Sequence, residues 1–151
     1  MGQRLEKSHI LTSQGFTLLE VIAVLVLLGI LLAAVVSRMV DTSAELVAES
    51  EIAKAHLRFV QSRAMNAAVP WGIRFDGASY TMLNDGLTSS GVLPGESSST
   101  HTLVAGTISA TTNPVLFNEW GSPGSVDITV TVADSSGSKS FVISRNTGAI
   151  P

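Results

Sequence analysis

Apolar and polar positions divide the chain into two regimes. From Phe16 to Ser37 it reads FTLLEVIAVLVLLGILLAAVVS, 22 residues holding one charge, Glu20, and no proline. At about 1.5 Å rise per residue such a helix covers about 33 Å, close to the roughly 30 Å of a bilayer's hydrocarbon. A transmembrane helix is therefore expected over 16–37. Beyond it the period changes to that of a one-sided helix. Leu46, Ala53, Leu57, Val60, Ala64 and Ala67 recur at three-, four- or seven-residue spacing, between polar positions such as Glu49, Glu51, Lys54, Arg58 and Arg63. No proline occurs between Phe16 and Val69 and the only glycine there is Gly29, so helix is expected to run to the residue before Pro70.

After Pro70 the period becomes two. Trp71, Ile73 and Phe75 alternate with Gly72 and Arg74, and Ala78, Tyr80 and Met82 alternate again after Asp76-Gly77, which predicts a hairpin with a two-residue turn. Further strands are expected over 102–109, 115–118, 126–132 and 140–144. In the third of these Val126, Ile128, Val130 and Val132 should face inward, and Asp127, Thr129 and Thr131 water. Between Asn84 and His101 the Ser, Gly and Asp content predicts a long loop. The 82 residues from Pro70 onward are few for a stable core alone, so the apolar stripe of the helix should complete it. The expected class is α+β: a long N-terminal helix packed on an antiparallel β-sheet or sandwich head. The expected segments are a leader over 1–15, the membrane helix over 16–37, the amphipathic helix over 38–69 and a β-rich head over 70–151.

Composition narrows the function. Charged residues make up 14% against a usual figure of about 25%. The net charge of −3 comes with no basic stripe, which argues against a nucleic-acid surface. Cysteine is absent, which excludes disulfides and thiolate chemistry. The three histidines, His9, His56 and His101, show no metal-ligand spacing. His56 reads as a solvated or interface residue, and His101 with Glu96 alone does not define a zinc site. Asp85, Glu96, Asp127 and Asp134 form no calcium loop, and no nucleophile elbow or phosphate-binding glycine motif occurs. Trp120 reads as a cap on a sheet edge. No enzyme, cofactor or metal is expected.

Glu20 is the residue that needs an explanation, because a carboxylate within a span costs roughly 2.5–3.5 kcal/mol. Cleavage between Gly15 and Phe16 would create an amino terminus one helical turn before it, and the helix dipole also favours an acid there. Arg4 and Lys7 with Glu6 before the span, against Arg38 and then Asp41, Glu45, Glu49 and Glu51 behind it, favour a cytoplasmic N-terminus and a head outside. A cleaved secretory signal fits poorly, since its apolar region is usually only about 7–15 residues. Gly29, Ala33 and Ser37 lie four apart, a small-residue ridge that lets another helix approach.

The residues GFTLLE, followed by an unbroken apolar helix, resemble the prepilin signature shared by type IV pilins and the pseudopilins of type II secretion systems. The resemblance implies that a prepilin peptidase cuts after Gly15 and N-methylates Phe16. An inner-membrane assembly platform would then extract the subunit from lipid into a filament of pilins or pseudopilins. There Glu20 would neutralise the N-terminal amine of a neighbouring subunit, the register-setting use best attested for buried ion pairs. The stretches VLFNEWGSPGSVDITVTV and FVISRNTGAI resemble the C-terminal half of GspH/FimT-type minor pseudopilins. The lack of proline in Leu31–Ser37 and of cysteine departs from many major pilins and points to a minor subunit. The expected role is at or near the tip of a type II secretion pseudopilus or type IV pilus, in support of protein secretion. Two alternatives stand beside it. One is a FimT-type minor pilin in DNA uptake, from whose basic C-terminal pattern the tail SRNTGAIP departs with Arg145 alone. The other is a signal-anchored periplasmic binding domain with no filament role.

Overall fold

The computed structural model describes the backbone of residues 17–151 and the side chains of 17–33 and 44–151. One helix, α1 (Leu18–Met65), takes up 48 residues. The chain divides into two compact units, Met1–Ser37 and Arg38–Pro151. In the first, every described side chain from Thr17 to Ala33 is exposed. Among the described residues no helix is long and apolar enough to cross a membrane. The span expected over 16–37 includes Phe16 and the side chains of 34–37, which lie outside the described residues.

In the second unit α1 ends at Met65 rather than beside Pro70. The Asn66 side chain donates to the Ser62 carbonyl at 2.7 Å, and the Asn66 and Ala67 amides turn to carbonyls three residues back. That tightened turn closes the helix, and Val69, preceding a proline, is disfavoured in helical geometry. Ala67, expected on the buried stripe, is consequently only half-buried.

Eight strands follow: β1 (Trp71–Phe75), β2 (Ser79–Asn84), β3 (Leu87–Thr88), β4 (Thr100–Thr102), β5 (Thr107–Ala110), β6 (Val115–Phe117), β7 (Ile128–Asp134) and β8 (Gly137–Ile143). One antiparallel sheet has the order β3-β2-β1-β6, with β4 also paired to β2; the other is β5-β7-β8. The first hairpin forms where expected, but Asp76 pairs with Ser79, leaving Gly77 and Ala78 at its tip. Gly77 has φ 78°, a conformation that a two-residue hairpin admits at its first tip position.

The 84–101 segment is shorter as a loop than its composition predicts. Asp85 and Gly86, both at positive φ, turn the chain directly into β3, and Leu93 anchors the remainder in the core. The strand expected over 102–109 is two strands, β4 and β5. Gly106, at φ 85°, breaks the run between them. Ile128, Val130 and Val132 face inward as expected, whereas Val126 precedes β7 and is exposed.

The core is one cluster shared by helix and both sheets. Leu46, Ala53, Leu57, Val60 and Ala64 of α1 pack with Ile73, Phe117 and Met82 of one sheet and with Ile108, Val130 and Ile143 of the other. The arrangement is α+β, as the pattern predicts. Gln61 adds a polar staple. Its side-chain amide donates to the carbonyls of Gly121 and Gly148, at 2.8 and 2.9 Å, while Arg58 donates to Ile150 at 3.0 Å. Gly148 sits at φ 64°, and a Cβ there would collide with the Gly121 carbonyl and the Gln61 amide. Only glycine suits that position.

Candidate functional site

Two groups of residues carry chemical interest. The first is the N-terminal motif. Gly15 and Phe16 lie outside the described residues. Thr17 caps α1: its hydroxyl accepts the Glu20 amide at 3.2 Å, and its carbonyl accepts the amides of Glu20 and Val21 at 3.0 and 3.2 Å. Thr17 and Glu20 thus stand at the two positions of a Thr-x-x-Glu helix start, where an acid also meets the positive end of the helix dipole. The Glu20 side chain is exposed, and among the described residues it has no salt-bridge partner. Gly29 and Ala33 are four apart and exposed, with nothing within 4 Å of a Cβ built on Gly29; the Ser37 side chain lies outside the described residues.

The second group is buried in the head, among residues that form no recognisable motif. Glu49 and His56 stand on the stripe side of α1, within the run of Leu46, Ala53, Leu57 and Val60. His101 of β4 reaches them from the sheet. Its Nε2 lies 2.9 Å from Glu49 and its Nδ1 2.6 Å from Glu96, while the second Glu49 oxygen accepts the Val104 amide at 2.9 Å. Ionised carboxylates only accept, so a ring held by both must carry two protons and a positive charge. Burial works against that charge, but the hydrogen bonds that the ring donates to Glu96 and Glu49 outweigh it and hold His101 above its ordinary 6.5.

His56 is arranged oppositely. Its Nε2 donates to the Pro94 carbonyl at 2.8 Å, and its Nδ1 meets the Tyr80 hydroxyl at 2.7 Å. Burial, only partly offset by the Pro94 carbonyl, lowers its pKa below 6.5. The neutral ring therefore accepts the Tyr80 proton at Nδ1. Burial, reinforced by the charges of Glu49 and Glu96, pushes the Tyr80 phenol far up, so it remains a donor. The two imidazoles are 5.5 Å apart, edge to face, one charged and one neutral.

His56 is thus neither solvated nor at an interface, and His101 does join Glu96, with Glu49 as the partner that sequence reasoning missed. Polar residues on an otherwise apolar stripe were the available sign. Among the described residues no group of three or more His, Asp or Glu is placed to hold a metal ion. Trp120 does not cap a sheet edge: it is 77% exposed, in the turn after β6 beside Pro70 and Asn118.

Residues 11–36 match the family model for the prokaryotic N-terminal methylation motif. No curated protein sequence matches the chain. Among solved structures it is similar to the type IV minor pilin FimU of Pseudomonas aeruginosa (strain PAO1). In one crystal form the identity is 18%, over 73% of this chain and 89% of FimU, with a TM-score of 0.52. A second crystal form gives 18% identity over 68% and 86%, with a TM-score of 0.45. At such identity the likeness is one of fold, an N-terminal helix followed by an antiparallel β head. In motif and in fold, the chain is type IV pilin-like.

Proposed function

We infer that the chain is a minor pilin or pseudopilin subunit. A prepilin peptidase cuts it between Gly15 and Phe16 and methylates the new N-terminus. Residues 16–37 then hold it in the bacterial inner membrane, with the N-terminus cytoplasmic and the head periplasmic. The assembly platform transfers it from lipid to a position at or near the tip of a type II secretion pseudopilus or a type IV pilus, in support of protein secretion. The observation that supports this reading is the methylation motif matched over 11–36, a stretch that contains Gly15, Phe16 and the start of a helix whose first turn holds Glu20. An acid in an apolar stretch is costly, and the N-terminal amine of a neighbouring subunit compensates it only when subunits dock in register. Gly29, Ala33 and Ser37 give neighbouring helices a close approach. The work is structural, and no residue is assigned a catalytic role. Mass spectrometry of the protein from its native membranes tests the reading: the expected chain begins at N-methylated Phe16, and a chain still carrying Met1 to Gly15 overturns it.

A further inference from the structure

The segment joining β3 to β4 is held in two ways. Leu93 is sunk in the core, only 1% exposed, while the turn after it, from Pro94 to Ser98, is tied by polar contacts. These are the Pro94 carbonyl on His56, the Glu96 carboxylate on His101, and the bond from the Leu93 amide to the Ser98 carbonyl at 2.9 Å. The titratable groups facing His101 are Glu49 and His56 from α1, Tyr80 from β2 and Glu96 from the turn itself. We propose that Glu96 and His101 form a pH-sensitive latch, which holds the Pro94–Ser98 turn against the head while His101 is protonated and frees it when His101 becomes neutral.

Proton counting fixes the direction. A neutral His101 has one N–H for two carboxylates, so one of them loses its donor. Glu49 is the acid that stays. Its side chain is 6% exposed, and its other oxygen remains bonded to the Val104 amide. Glu96 is 30% exposed and has no second hydrogen-bond donor among the described residues, so it turns to water and takes its turn with it. Leu93 stays in the core and the Pro94 carbonyl stays on the neutral His56, which confines the opening to the turn beyond them. The latch concerns the head alone and does not depend on how the N-terminus is processed.

Its test is an NMR titration of the full chain in detergent micelles, with labelled histidine rings and with amide exchange corrected for intrinsic base catalysis. His101 should titrate above its ordinary 6.5, and exchange at the Leu93 and Glu96 amides should rise about tenfold across the same midpoint. Glu96→Gln keeps an acceptor at the rim without the charge, so the head stays folded while midpoint and opening move together to lower pH. A His101 midpoint at or below 6.5 overturns the latch. So does exchange that ignores the titration, or an opening that stays at the wild-type pH in Glu96→Gln.

Discussion

Glu20 and Glu49 lie on the same helix and meet opposite surroundings. Glu49 is buried, and both its oxygens are satisfied by groups of its own chain, His101 and the Val104 amide. Glu20 is exposed among exposed apolar side chains, without an ion-pair partner among the described residues. The head therefore pairs this buried acid internally, whereas the described N-terminal part of α1 offers an apolar surface and an acid that, on the proposed reading, a second subunit completes. Burying a charge is tolerable only with a partner, and on the proposed reading the two glutamates differ in where that partner comes from.

The sharpest way to break this contrast is to remove the internal partner. Glu49→Ala takes the buried acceptor from both the His101 ring and the Val104 amide, leaving the ring only Glu96, and should destabilise the head by about 3–5 kcal/mol in urea denaturation. A loss below about 1 kcal/mol would mean that the network is not what completes the head. Gly148→Ala comes next, at about 2–3 kcal/mol. It forces an L side chain into the left-handed region and toward the Gly121 carbonyl. An unchanged melting temperature would show that the Gln61 staple yields freely.

Smaller, but specific in sign, is the dependence of head stability on pH. His101, raised above 6.5, gives stability that is full below 6.5 and is lost as pH climbs through its folded value. His56, lowered below 6.5, gives stability that is full above 6.5 and is lost as pH falls through its folded value. Stability should therefore be greatest between the two folded values, in a window spanning 6.5. A melting temperature that only rises or only falls across that window would break the pairing of one charged and one neutral ring. Smallest is Glu20→Val, which should change head stability by no more than about 0.5 kcal/mol while abolishing recovery of the protein in filaments. Destabilisation of the head, or normal incorporation, would erase the distinction between the two acids.

Much of this architecture was legible in the sequence because it follows from periodicity. The stripe from Leu46 to Ala64 and the alternation in β1, β2 and β7 are each local patterns. The β2–β3 hairpin was hidden because β3 has only two residues, too few to alternate, although Asp85-Gly86 is a strong turn pair. Gly15, Phe16 and Glu20 stood out because a charge in an apolar run is conspicuous. The buried network did not, since His101 meets Glu49 across 52 positions and His56 meets Pro94 across 38. Such meetings are made by sheet topology, and only the misplaced polarity of Glu49, Ser50 and His56 on the stripe pointed to them.

Gln61 also bears on the order in which the protein can be made. Its two acceptors lie 60 and 87 positions further along the chain. A ribosome delivers the helix first, with its apolar stripe bare, and the groups that cover it arrive from β1 onward. The staple cannot close before Gly148 has emerged, so this tie between helix and head forms late in synthesis of this segment.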